Sequence, residues 1–350
     1  MNIQDLFIKE DLSIKKAIKK LDKTGKKILL IVEDRKLIGV LTDGDIRRWI
    51  LKNGNLQESV SCIMNTSPKY IYERDINNAK QILMEKRVEA MPVLNSNKEV
   101  TDIVFWNDNF EGKFNYYNKL KTPVVIMAGG RGTRLEPYTK ILPKPLIPIG
   151  DTPIVERIIN RFAEYGCDKF YMTVNYKKNM IKAYFSESNR AYEIDYIEEG
   201  RPLGTAGSLS LLKGELKETF FVSNCDILID ANYSDIFKHH KENKNKITLV
   251  TSLKHYVIPY GVIEIAATSE VQNMIEKPEY DYLVNTGMYV LEPDVLKHVP
   301  ENTFFHITDL INYYIQNGKK IGVYPVSDKE WLDMGEFKEM ENMIGRLGLR

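Results

Sequence analysis

The sequence predicts an α/β protein in which a Rossmann-like, mixed-sheet domain follows a tandem pair of smaller units. Three observations predict it: two stretches near the start repeat each other, apolar runs from residue 123 alternate between strand and helix periodicity, and strands dominate after residue 226. A length of 350 residues with 43% apolar content provides for more than one core. Lysine and arginine number 49 against 48 aspartates and glutamates, a formal charge of +1. Bulk electrostatics therefore point to neither nucleic acid nor an anionic membrane, and any anion site must be local. Cys62, Cys167 and Cys225 stand far apart without CxxC spacing, which argues against a disulfide framework and a zinc site. No leader pattern opens the chain, and the apolar runs 28–32 and 124–127 are too short for a membrane span, so a cytoplasmic protein is expected.

In the first unit Ile14, Ala17, Ile18 and Leu21 recur at helical spacing, two short β-rich runs flank the polar turn 33–36, and a helix is expected from Ile46 with Asp45 as its N-cap. Sixty-two or 63 residues later the pattern returns. Met64-Asn65 repeats Met1-Asn2, Ile76, Ala79 and Leu83 repeat Ile14, Ala17 and Leu21, 91–94 repeats 28–32, and Asp108 falls opposite Asp45. Each copy reads helix, strand, strand, helix, with bounds of 1–58 and 59–110, and the polar, aperiodic 111–122 reads as a linker. Residues 1–119 are slightly basic and the remainder slightly acidic, which agrees with a boundary there.

The first copy ends on Gly39-x-x-Thr42-x-x-Asp45. Tandem units of this size with that turn resemble CBS domains, which pair into a disc with clefts for adenine nucleotides. The resemblance implies that Thr42 and Asp45 hold phosphate and ribose hydroxyls. The second copy keeps only Asp108, so one cleft at most is equipped. A plain helix cap explains Asp45 equally, and both structural or oligomerising use and regulation by a small molecule stay open. A homo-oligomer is expected.

From residue 124 the runs 124–127, 154–165, 169–174, 180–185, 194–197, 208–212 and 219–222 alternate strand and helix and predict an open sheet. Strands follow at 247–252, 261–265, 271–276 and 285–291, then a helix near 308–316. The densest signal is Met127-Ala128-Gly129-Gly130-Arg131-Gly132-Thr133-Arg134, with Lys144 between two prolines shortly after. It lies beyond the carboxyl end of a strand, the usual ligand crevice of an open sheet. The glycines allow bare N–H groups to approach a polyanion, and Arg131, Arg134 and Lys144 add positive charge, so a phosphate chain is the implied guest.

This stretch resembles the signature of sugar-phosphate nucleotidyltransferases, which have a GT-A-like fold and make nucleotide sugars from a nucleoside triphosphate and a sugar 1-phosphate. The resemblance extends over about 123–345. It implies that Ala128, Gly129, Gly130, Gly132 and Thr133 receive the nucleotide, that Leu203-Gly204-Thr-Ala-Gly207 is the base-side loop, and that Arg134 and Lys144 are catalytic. It also implies that Asp226 and Asp333 hold Mg2+ and that Gly261, Glu276, Lys277 and Asn285 contact the sugar phosphate. Cys225 departs from the glycine usual before the metal-binding aspartate. Physical chemistry agrees, because Mg2+ prefers one or two carboxylates plus phosphate oxygens. A sugar 1-phosphate is already a dianion at neutral pH, so neither a general base nor a His or Cys nucleophile is needed. His239 and His240 lie in a polar helix and are expected to be solvated.

Glu199, five residues before Gly204, suits the two adjacent N–H donors of guanine. The Pro-Leu-Gly-Thr-Ala-Gly form also resembles mannose-1-phosphate guanylyltransferases, and the fused CBS pair resembles the guanylyltransferases of bacterial nonulosonate (legionaminic acid) clusters. GTP and glucosamine 1-phosphate are accordingly expected first, giving GDP-glucosamine. Mannose 1-phosphate, or a uridylyl or thymidylyl transfer to another hexose 1-phosphate, remains an alternative. A nucleotide-sensing CBS protein with an inactive transferase domain is the alternative from another class.

Overall fold

The computed structural model describes residues 2–106, 119–186 and 190–347. The chain divides into two units, one built mainly on Met1–Lys121 and one mainly from Thr122 onward. Asp108 and most of the expected linker lie outside the described residues.

The first unit contains the repeat twice. Strand β1 (Phe7–Ile8) is parallel to β2 (Ile28–Glu33), which is antiparallel to β3 (Lys36–Thr42). In the second copy β4 (Ile71–Tyr72) is parallel to β5 (Ala90–Leu94), which is antiparallel to β6 (Val100–Phe105). The register slips at the same place in both, between Ile31 and Val32 and between Val93 and Leu94. Two-residue strands carry no periodicity, which is why β1 and β4 are absent from the sequence reading.

Helix α1 (Ile14–Thr24) starts because Ser13 accepts the Lys16 N–H and stops at Gly25, whose N–H reaches Leu21 O in a left-handed turn. Its apolar stripe Ile14, Ala17 and Leu21 is buried. The second copy departs from expectation. Ile76, the counterpart of Ile14, is 42% exposed on a 3-10 turn, and α3 begins only at Ala79 and ends at Lys86. No side chain caps that start. A second correction concerns α2 (Asp43–Ile50), which begins before Ile46 with Thr42, not Asp45, as its N-cap. Leu94, Val100 and Ile103 of the second copy join the first copy's core, while Ile71, Ala79, Leu83, Met91, Val93, Val104 and Trp106 form another cluster.

The second unit is built on a mixed seven-stranded sheet. Its strands are β7 (Val124–Ala128), β10 (Lys169–Val174), β11 (Glu193–Glu198), β12 (Phe220–Asn224), β14 (Ile247–Val257), β17 (Glu279–Leu291) and β18 (Ile321–Val326), in the order β11-β10-β7-β12-β17-β14-β18. The four strands from β11 to β12 are parallel, and β17 is antiparallel to both its neighbours. Short pairs stand outside it: β8 (Pro148–Ile149) with β9 (Thr152–Pro153), β13 (Ile227–Ile229) with β19 (Trp331–Asp333), and β15 (Val262–Ile265) with β16 (Val271–Ile275). The expected helix at 208–212 is a 3-10 helix. β7 is buried along its whole length, as a central parallel strand must be. Packed on the sheet is a core that includes Val125, Met127, Leu209, Phe220, Tyr289, Leu296 and Leu310.

His240 corrects a further expectation. It is fully buried, with Nδ1 2.8 Å from Thr248 Oγ1 and Nε2 3.3 Å from Glu292 Oε1. The polar pattern of its helix conceals this because the covering residues come from β14 and the end of β17. No helix among the described residues is long and apolar enough to cross a membrane.

Candidate active site

The glycine-rich loop leaves the carboxyl end of β7, between β10 and β12, where parallel strands open a crevice. Gly132 lies against the stem of Lys144, and Gly130 has open space beside it. Lys144 is 7% exposed, and its Nζ makes an ion pair with Asp226 Oδ2. Arg131 and Arg134 are exposed. The turn that follows the loop is tied down from elsewhere. Tyr176 Oη donates to Thr139 O at 3.1 Å, and Lys177 Nζ donates to Lys140 O and Ile141 O, each at 2.6 Å.

The two carboxylates meet because β13 and β19 are antiparallel, with Ile227 opposite Asp333, and because Met334 N donates to Asp226 O at 2.8 Å. Asp333 Oδ1 accepts the Gly335 N–H at 2.8 Å. A side chain at Gly335 would lie 3.2 Å from the Asp333 carboxylate and 3.4 Å from Arg134 Nη1, so all three share one place. Burial, and then the charge of Asp226, push the Asp333 carboxyl above its ordinary value, against the pull of Lys144 and Arg134. Cys225 is buried, and burial and Asp226 push its thiol up to about 12, so it stays neutral. Two hard oxygen donors facing a cationic glycine loop fit Mg2+, which would take its remaining ligands from phosphate and water. Among the described residues no cluster of three or more His, Cys, Asp or Glu is suited to a metal.

Glu199 is 6% exposed. Its Oε2 accepts the Leu203 N–H at 3.1 Å, and its Oε1 would lie 2.5 Å from any Cβ at Gly129. A side chain at position 129 would have to displace this carboxylate. Burial raises the Glu199 carboxyl, while the Leu203 N–H and the Thr173 hydroxyl act the other way. Its neighbour Glu198 is paired with Lys178 and Lys182 and faces outward. Gly204 is held by tertiary packing. It has φ +79°, and a Cβ there would lie 2.7 Å from Phe305 O, which also accepts the N–H groups of Ala206 and Gly207 at 3.0 Å.

A nucleotidyl transferase model matches residues 123–346. The chain belongs to the nucleotidyl transferase family. A CBS domain model matches residues 1–52. The bifunctional protein GlmU of Methanococcus maripaludis is 33% identical over 220 residues, 60% of this chain and 51% of that protein. The UTP–glucose-1-phosphate uridylyltransferase of Synechocystis sp. is 30% identical over 233 residues, 61% of this chain and 60% of its own length. The mannose-1-phosphate guanyltransferase of Saccharomyces cerevisiae is 33% identical over 181 residues, 49% and 50% of the two chains. The chain thus spans about half the length of the curated relatives it matches. Among solved structures, HddC from Yersinia pseudotuberculosis matches with a TM-score of 0.52 and 20% identity over 65% of this chain and 99% of that one.

Within this transferase fold the residues expected to contact the sugar phosphate form two groups. Gly261, Glu276 and Lys277 come together around the β15–β16 hairpin. A Cβ at Gly261 would lie 3.0 Å from Glu276 Oε2, and Lys277 N donates to Tyr260 O at 3.3 Å. Asn285 lies on β17 beside the end of β12, where a side chain on Gly287 would collide with Asn224, two residues before Asp226. Sequence reasoning missed the 303–305 segment that clasps Gly204 and Gly207. That segment carries no local signal, because it acts through contacts about 100 residues away in sequence.

In the CBS unit Thr42 and Asp45 serve each other. Asp45 Oδ2 accepts the Thr42 N–H at 2.8 Å and its hydroxyl at 2.6 Å, Thr42 Oγ1 accepts the Asp45 N–H at 3.3 Å, and Asp45 Oδ1 pairs with Arg48. This is a complete capping box.

Proposed function

We propose that the chain transfers a guanylyl group from GTP to a sugar 1-phosphate, glucosamine 1-phosphate first and mannose 1-phosphate second, releasing pyrophosphate. The convergence of Arg134, Lys144, Asp226 and Asp333 at the mouth of the glycine loop carries this reading. A sugar phosphate oxygen forms a bond to the α-phosphorus as the bond from that phosphorus to the bridging oxygen of pyrophosphate breaks, and the electron pair leaves with pyrophosphate. The protein's work is to hold two mutually repelling anions in line and to neutralise charge on the leaving group.

Lys144 grips the reacting phosphates, Arg134 stabilises the pyrophosphate, and Lys277 takes the sugar's own phosphate. Asp226 and Asp333 would hold Mg2+, which when bound supplies charge neutralisation to the phosphates. The guanine preference rests on Glu199, whose carboxylate sits against the loop between Gly129 and Leu203. Relatives named for guanyl and for uridylyl transfer match at similar identity, so the base must be read by experiment. HddC was solved in complex with GMP-PN.

Pyrophosphate release with Mg2+ tests the reading, using GTP, UTP, dTTP, CTP and ATP against glucosamine, mannose and glucose 1-phosphates. Release with GTP alone is expected. Release with UTP or dTTP would remove the Glu199 argument, and none with any pair would favour a nucleotide-sensing protein. For the CBS unit, the capping box and the Arg48 pair favour structural use of Thr42 and Asp45. Equilibrium binding of AMP or ATP that is lost in Asp45→Ala would reverse that preference.

A further inference from the structure

Asn285 and Tyr289 are four residues apart on β17, a separation that spans roughly 13 Å in a regular strand. Yet Asn285 Nδ2 donates to Tyr289 Oη at 2.7 Å. The cause lies in the pairing of β17 with β14. Met288 pairs with Val250 and Asn285 with the next residue, Thr251, so Thr286 and Gly287 have no opposite number and bulge out. Along the sheet the two side chains then stand only two steps apart, on one face.

Several contacts fix the bulge. Thr286 Oγ1 donates to Val250 O at 2.8 Å, and Gly287 adopts φ +91° with its α-carbon against the Asn224 amide. Gly287 N donates to Asn285 Oδ1 at 3.2 Å. Tyr289 is 2% exposed, and its ring belongs to the core that holds Met127, at the root of the glycine loop, and Ala206, in the base-side turn. A hydroxyl anchored in that core thus reaches the carboxamide expected to contact the sugar. Both ends of the carboxamide are engaged, which leaves it one N–H and one lone pair.

We infer that Tyr289 is a positioning residue for the sugar side: its hydroxyl fixes the carboxamide of Asn285 so that the remaining N–H and lone pair meet the ring substituents of the sugar 1-phosphate. The inference rests on the transferase reading. Without the tyrosine hydroxyl, the carboxamide keeps only the longer bond from Gly287 and rotates.

The test is Tyr289→Phe, which keeps the ring and removes the oxygen, alone and combined with Asn285→Ala. Michaelis constants are measured separately for glucosamine 1-phosphate, or whichever sugar phosphate the parent accepts, and for the nucleotide. Tyr289→Phe raises the KM for the sugar phosphate roughly fivefold, as loss of one hydrogen bond does, while the nucleotide KM stays at the parent's value. In the Asn285→Ala background it changes nothing further. Thr286→Val, which loosens the bulge with the tyrosine in place, gives the same selective rise and serves if Tyr289→Phe folds poorly. A sugar phosphate KM unchanged in both variants, equal rises in both constants, or additive effects in the double variant would overturn the inference. A parent protein that turns over no pair would instead defeat the transferase reading.

Discussion

At the residue scale the ion pair of Lys144 with Asp226 decides most. The lysine is buried and paired with Asp226, and Asp333, whose charged form burial disfavours, stands beside that partner. Lys144→Met should lower turnover about 100-fold or more, the scale on which a charge-stabilising group acts in the transition state. It should also lower the thermal unfolding midpoint, and adding Asp226→Asn should recover part of that loss. An unchanged midpoint in Lys144→Met would show that the pair contributes nothing to the fold. These residues were legible as types: a glycine loop after a strand, a proline-bracketed lysine and two strand-end aspartates. That they meet was implied by the resemblance alone, because the short pairing of β13 with β19 that brings them together has no sequence signature. Glu199 was legible as a candidate, while its burial under Gly129 was not.

At the element scale two turns carry local determinants that can be tested. Gly204 combines φ +79° with a carbonyl of residue 305 at the position its side chain would take. Gly204→Ala should therefore destabilise the chain by about 2 kcal/mol or more, measured by urea unfolding. Loss of less than half of that would mean the 303–305 segment yields easily. At the start of α2, Thr42→Ala removes the cap and one partner of Asp45, with an expected cost of about 1 kcal/mol. A neutral effect would point away from the capping use of this pair. The helix and strand periods located the main elements to within a few residues, yet the ends of β14 and β17 ran well past expectation. Exposed alternation there resembles a loop until the partner strand is known.

At the scale of the whole molecule, His240 ties the start of β14 to the end of β17 from inside the fold. Burial holds it down at about 4 in the folded chain, against about 6.5 when unfolded. Between those values the unfolded chain binds the extra proton, so this contribution is complete above about pH 6.5 and is lost as pH falls toward 4. The loss is on the order of 3 kcal/mol. His240→Gln should flatten the dependence of the urea midpoint on pH across that window, and identical slopes would refute it. The repeat of the first unit was legible because it is written twice, down to a register slip at equivalent places. The long strands β14 and β17 have a last consequence. Their inner halves are flanked by β18 and β12, but among the described residues 253–257 and 279–283 have no strand partner besides each other. A ribbon with no third strand opens more readily than the sheet it extends, so its amide protons should exchange with deuterium well before those of 247–250 and 288–291. The phosphate end of the site would then be a rigid seat, and the strands that reach past Asn285 a segment that breathes.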